Sequence, residues 1–473
     1  MLTHLVDRLA QDMRTPAELP SLPTANATSL SERWRSITSG IGRIPQSIRK
    51  GAVRSVAALA MLLPSAAFAS ALVPFVWNAV TLPASTGAAC GDGSPYTFFV
   101  NPNPLSTQTV VMFEGGGACW SQAACLGQTG ELGAVNPNGI PTNYMASLST
   151  QSKFGLVSPL VSRVPLLGTT TETQGWNQVY VAYCTGDVHV GNQVSVLTDS
   201  DPATPRVQYF RGNVNAQAVA AWLGQNMGHP SQLLVTGFSA GGVGSTAQYA
   251  AIRNAMQPQR SSLLADSGPL FPAERGGSSA QYPSLPLHTQ IRAAWGLDGP
   301  NGIVTQSVQE YPGAFDVNNM GSIGPALGKI FPNDRIGFAL FQQDDDFSVF
   351  SYLDFYPAIA ALPAASQFAP INALWRKDIA NWTAVLNQAP FNVGYYIPYG
   401  RQLNKSHCLT IATFDGTGIV DYNIPSVETF LQNLIDAPAG AAGGPVLRLQ
   451  QVSQQMPAET AIEWMLINVL GLS

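Results

Sequence analysis

Charge is scarce in this chain. Among 473 residues there are 23 Lys and Arg and 28 Asp and Glu, so only 11% are charged and the formal net charge is −5. No basic stretch offers the footprint that a nucleic-acid backbone requires, and a nucleic-acid partner is not expected. Histidine is rarer still, with five in all: His4, His189, His229, His288 and His407. Cysteine is equally rare at five, with no C-x-x-C pair and no H-E-x-x-H run, so no metal site is expected. Internal repeats and heptads are absent too. Glycine and proline are plentiful, 44 and 35, as in a loop-rich globular protein.

Against that background one stretch stands out, Leu233-Leu234-Val235-Thr236-Gly237-Phe238-Ser239-Ala240-Gly241-Gly242. An apolar run suited to a buried strand ends at G-x-S-x-G, and a helix is expected over Ser245–Met256. That order is the nucleophile elbow, a sharp strand-to-helix turn that presents one serine. A side chain at Gly237 or Gly241 would collide within so tight a turn. A Gly-rich chain produces bare G-x-S-x-G runs by chance, but the strand before and helix after favour Ser239 as a nucleophile.

The scarcity of histidine makes the base readable by elimination. α/β-Hydrolases place their triad in the chain order Ser, acid, His. His4, His189 and His229 precede Ser239, and His288 leaves too little chain for two further strand–helix units. His407, in the polar turn Asn404-Lys405-Ser406-His407, is the expected base, with a structural histidine as the bland alternative.

The acid should follow a strand between Ser239 and His407. Ile336–Phe341 reads as that strand, and Asp344-Asp345-Asp346 comes just after it, where catalytic loops of an open α/β sheet gather. One of the three is expected to orient the imidazole, the others to face solvent or cap a helix. Asp266, at the end of the strand after the nucleophile helix, competes with them. The oxyanion hole is expected from Glu114-Gly115-Gly116-Gly117, which follows the strand Thr109–Phe113. Gly116 or Gly117, with Ala240, would supply backbone N–H donors. A phosphate loop would need a Lys-Ser/Thr pair after the glycines, and there is none.

Taken in order, Cys90-Gly91-Asp92-Gly93, Phe113-Glu114-Gly115-Gly116-Gly117, Tyr183-Cys184-Thr185-Gly186-Asp187, Ser239-Ala240-Gly241-Gly242, Ala265-Asp266-Ser267-Gly268 and Ser406-His407-Cys408 resemble the pectin acetylesterase/Notum family of carboxylesterases. The resemblance spans about Cys90 to Leu409. It implies an α/β-hydrolase-like fold, with a mostly parallel central sheet flanked by helices, and a triad of Ser239, an aspartate of the Asp344–Asp346 run and His407. Family spacing favours Asp345 over Asp346, although Ser348 stands where the family has glutamine. Asp266 belongs to a separate family motif. Disulfides Cys119–Cys125 and Cys90–Cys184 are implied as well, leaving Cys408 over. If the enzyme stayed in the cytosol, all five would be reduced thiols. Ala118 follows the glycines where the family often has Trp, and Trp120 comes later, so a different acyl-pocket wall is expected.

The activity implied is hydrolysis of a carboxylic ester, acetyl-type and on a polysaccharide, through an acyl-enzyme and with no cofactor. A lipase or polyester depolymerase is the alternative from the same chemistry. A non-catalytic surface protein is the remote one.

Targeting is written at the N-terminus. Arg49, Lys50 and Arg54 precede the apolar run Ser55–Leu63, and an A-x-A pattern ends at Ala69. This is the order of a secretory signal, with a mature start near Ser70 and a secreted or periplasmic product. A membrane anchor is the competing reading, weakened by Pro64 and Pro74. Only an uncleaved anchor would bring a membrane partner. The expected division is 1–69 as extension plus signal and 70–473 as one catalytic domain.

Overall fold

A computed structural model describes residues 72–129, 133–145 and 158–468. The signal and anchor readings at Arg49–Ala69 lie outside the described residues. From Leu72 onward the chain forms one compact unit.

The architecture is set by short apolar runs that are buried along their whole length. β2 (Thr97–Asn101), β7 (Gln232–Phe238), β8 (Ser261–Asp266), β9 (Arg335–Ala339) and β10 (Val393–Ile397) have no exposed residue. Continuous burial, without alternation, is what a parallel sheet covered on both faces imposes. With β1 (Asn78–Thr81), β3 (Gln108–Phe113), β4 (Asn177–Val181) and β11 (Arg448–Gln450) they form a nine-stranded sheet ordered β1-β2-β4-β3-β7-β8-β9-β10-β11. From β4 to β11 every neighbour is parallel, and β2 alone runs against the rest. This mostly parallel sheet with flanking helices is the α/β-hydrolase-like fold expected. β5 (Gln193–Leu197) and β6 (Arg206–Phe210) make a separate antiparallel hairpin.

Adjacent residues of β8 show how both faces are covered. Ser261 Oγ accepts a hydrogen bond from Tyr249 Oη, while Ser262 Oγ donates to the Leu434 carbonyl. Neighbouring strand residues point to opposite faces. So α2 (Ala240–Met256), which carries Tyr249, packs on one side and α8 (Glu428–Ile435) on the other. α1 (Gly212–Met227) packs beside α2. α3 (Leu285–Ala294), α4 (Ile303–Glu310), α5 (Ile323–Ile330), α6 (Phe347–Tyr352) and α7 (Phe368–Leu386) come from the long excursions around β9. α2 starts directly after Ser239, five residues earlier than the sequence suggested.

Register brings the strand ends together. Phe113 of β3 pairs with Gly237 of β7, Phe238 with Asp266 of β8, and Asp266 with Ala339 of β9. The segments that leave these ends are the glycine loop, Ser239, Asp266-Ser267 and the triple aspartate. Side by side at the carboxyl edge, they outline a site where open α/β sheets place one. Among the described residues no helix is long and apolar enough to cross a membrane.

Candidate active site

Ser239 occupies the turn with φ 56° and ψ −125°, a conformation unfavourable for a residue with a side chain. Its own N–H donates to the Asp266 carbonyl at 2.9 Å, and its carbonyl accepts from Gly242 N–H at 2.8 Å, which holds the strain in place. Between Gln232 and Thr246 Ser239 is the one residue that is not buried. The glycines act as expected. A Cβ at Gly237 would strike the Gly241 carbonyl, and one at Gly241 the Phe113 carbonyl. α2 therefore begins against the end of β3, and the elbow meets the glycine loop.

Gly117, Ser239, Ala240, Asp346, Phe347, Phe350, Val188 and His407 line one cavity with an empty volume of about 360 Å³. Ala240 is the first residue of α2, so its N–H has no intrahelical acceptor. Gly117, at φ 68°, faces the same space. Gly116 lies one residue back from it and gives its carbonyl to Val135 N–H at 3.0 Å. Of the three oxyanion candidates, the cavity brings together Gly117 and Ala240. Trp120 does not touch this space directly. It packs 5.6 Å from the ring of Phe350, a wall residue, and 5.7 Å from that of Phe355.

His407 is buried, and its Nδ1–H donates to Asp344 Oδ2 at 2.9 Å. The structure thus corrects the choice of Asp345. The Asp345 carboxylate turns away, accepting a hydrogen bond from Asn372 Nδ2 at 3.1 Å, while its N–H donates to the Lys405 carbonyl. Asp346 Oδ2 sits 3.8 Å from His407 Nε2, on the cavity side of the ring and beyond hydrogen-bond reach. The reason lies in the start of α6. Asp344 Oδ1 accepts from the N–H groups of Asp346 (3.2 Å) and Phe347 (2.8 Å), capping the turn into α6 and leaving Oδ2 for the imidazole. The residue that caps is also the one that holds the ring.

Burial works against a charged His407, yet the Asp344 carboxylate and the adjoining Cys408 together outweigh it, and the imidazole pKa stands well above its usual 6.5. His189, excluded by chain order, has a structural place. Its Nε2–H donates to the Glu114 carbonyl at 2.8 Å, and burial pushes its pKa down to about 4. Asp266, the other acid candidate, does not reach the imidazole but accepts from the backbone of Leu409 and Thr410.

Sequence reasoning passed over Arg401. It is buried and donates to the carbonyls of Cys408 (2.5 Å) and Thr413 (2.9 Å), shaping the loop on which Asn404, Lys405 and Ser406 take left-handed backbone. An isolated Arg in a polar turn carries no signal of such a role. Both implied disulfides, Cys90–Cys184 and Cys119–Cys125, are formed, and Cys408 is a buried free thiol. Among the described residues no group of three or more His, Cys, Asp or Glu is placed to hold a metal ion.

The pectinacetylesterase family matches residues 71–282, so the family resemblance drawn from the motifs holds. That stretch includes the glycine loop and Ser239 and ends before Asp344 and His407. Among solved structures the chain is similar to the Wnt deacylase Notum from Drosophila in two crystal forms. Form II is 18% identical over 76% of this chain and 92% of that one, with a TM-score of 0.48. Form I is 18% identical over 80% and 96%, with a TM-score of 0.49. No curated protein matches the chain in sequence.

Proposed function

Starting from a chain that matches pectinacetylesterase over residues 71–282, we propose that it is a serine carboxylesterase working through an acyl-enzyme. The observation that carries this reading is the single cavity lined by Ser239, His407, Gly117 and Ala240, with Asp344 bonded behind the imidazole. Nδ1–H of His407 is committed to Asp344, which leaves Nε2 as the basic nitrogen on the cavity side. That nitrogen takes the Ser239 proton as Oγ attacks the ester carbonyl. The N–H groups of Gly117 and Ala240 stabilise the oxyanion, a contribution of about 10²–10³ in turnover per donor. His407 then protonates the departing alcohol, and water repeats the attack on the acyl-serine. No cofactor enters any step.

The substrate we infer is a short-chain, acetyl-type ester, on a polysaccharide, in keeping with the family description. An apolar cavity next to the site favours a second reading, a longer-chain lipase or a polyester depolymerase. A non-catalytic surface protein would have no need of the strained Ser239 elbow.

Purified protein should hydrolyse p-nitrophenyl acetate. Ser239→Ala should keep the fold and lose about 10⁶ in turnover. A fluorophosphonate should label Ser239 in the parent alone. Labelling elsewhere, with activity kept in the variant, would overturn the assignment.

Export is part of the proposal, since two disulfides suit an oxidising compartment. N-terminal sequencing of the secreted form should begin near Ser70. Finding residues 1–48 on it would refute the signal reading.

A further inference from the structure

Val188 stands between two cavities. It lines the one that holds Ser239 and His407, and it also lines a second, with an empty volume of about 590 Å³, bounded largely by apolar side chains. Val190, Val243, Leu270, Ile303 and Phe315 are among the walls of the second. Val243 lies one turn beyond Ser239 on α2, so the second cavity begins close to the nucleophile.

Val188 is held at that boundary against its own preference. Its φ is 48°, in the left-handed region where a β-branched residue is a true outlier. His189 follows at φ 65°. Such strain persists only where the surroundings fix it, and here they do so from both sides. Val188 N–H donates to Tyr183 Oη at 2.8 Å. On one flank Asp187 accepts from Thr185 Oγ1 (2.6 Å) and Gly212 N–H (2.8 Å). On the other, His189 donates its Nε2–H to Glu114, and its carbonyl accepts from Gln248 Nε2 at 2.8 Å. Every group in this frame is buried, and the frame fixes Val188 where the two spaces share a lining residue.

We propose that Val188 is the acyl-length gate of this enzyme. Its side chain closes the catalytic cavity against the apolar one, restricting the acyl group on Ser239 to short chains. The apolar cavity behind it is the site that a straight, saturated acyl chain enters once the wall is removed. The proposal rests on the serine-esterase reading and adds to it the residue that sets the substrate's acyl length.

The geometry supplies an unusually clean test, because glycine suits a left-handed backbone and removes the wall at once. Parent, Val188→Gly, Val188→Ala and Val188→Ile would be compared on p-nitrophenyl esters from acetate to octanoate. Circular dichroism would check the fold of each. In the parent kcat/KM should fall beyond butyrate. Relative to acetate, Val188→Gly should gain about fourfold per methylene that enters the apolar cavity, and Val188→Ala should gain less. Val188→Ile should steepen the fall. Octyl and ethyl fluorophosphonates should show the same reordering in their rates of labelling Ser239. A folded Val188→Gly or Val188→Ala enzyme whose chain-length profile parallels the parent's would overturn the gate and leave the esterase reading standing. Failure of the parent to hydrolyse acetate or to be labelled at Ser239 would overturn both.

Discussion

Asp266 accepts hydrogen bonds from both the backbone N–H and the hydroxyl of Thr410, each at 2.7 Å. It also accepts from Leu409 N–H and Ser267 Oγ, each at 2.9 Å, and Ser267 Oγ accepts from Cys408 N–H at 3.1 Å. The three backbone amides that follow His407 are therefore all held by the Asp266-Ser267 pair at the end of β8. Burial pushes the Asp266 carboxyl above its usual range, and the four hydrogen bonds oppose that rise. A residue weighed as an alternative acid turns out to position the loop that carries His407.

Asp266→Asn should expose this role. An amide offers one acceptor oxygen where the carboxylate offers two, so at least one buried N–H loses its partner at about 1–3 kcal/mol. The expected outcome is a lower melting temperature together with a lower kcat at nearly constant KM. A lower melting temperature with kinetics unchanged would reduce Asp266 to stability alone.

Asp344 and Asp345 should separate sharply. Asp344→Asn should cost about 10⁴ in turnover, because the wrong imidazole tautomer is then favoured. Asp345→Asn should change activity by less than about tenfold, since among the described residues its carboxylate hydrogen-bonds Asn372 and Gln343 and not His407. Kinetics of the two single variants decide between them. A large loss in Asp345→Asn alone would contradict the geometry.

The pH profile follows from the imidazole. The proposed mechanism needs neutral His407, so kcat/KM should rise with pH through a midpoint above 6.5. Without the Asp344 carboxylate that midpoint should move down, measurable in the residual activity of Asp344→Asn. Stability runs the other way. A His whose pKa is raised on folding contributes stability that is full below pH 6.5 and is lost as pH climbs through its folded value. Thermal melts between pH 6 and 9 would show this decline, and it should vanish in His407→Gln.

Reduction should harm the two disulfides unequally. Cys90 and Cys184 are 94 residues apart and Cys119 and Cys125 only 6. Loop-closure entropy assigns them about 4.7 and about 2.2 kcal/mol respectively. Cys90→Ser should lower the melting temperature more than Cys125→Ser does. The short bridge, beside the glycine loop, should act more on turnover.

How legible each part was depends on how many residues could have filled the role. The place of Ser239 in the elbow could be read because its turn admits little but glycine around it. The place of His407 in the same cavity could be read because histidine is so scarce. Among the aspartates nothing in the letters separates three identical neighbours, and the decision falls to which one caps α6. Val188 was invisible, since a valine announces neither strain nor a boundary. The parallel sheet showed in its apolar runs, whereas the hairpin of β5 and β6, half polar, did not.

The hooks from Asp266 to Thr410 and from Asp344 to His407 have a consequence for biosynthesis. In the proposed mechanism, a nascent chain that has cleared the ribosome only as far as β9 owns the nucleophile and the glycine loop but no base. On that reading, activity cannot begin until Thr410 has emerged and folded back onto β8. The proposed enzyme would thus be chemically silent through most of its translation, and a product cut short ahead of His407 would remain an inert serine scaffold.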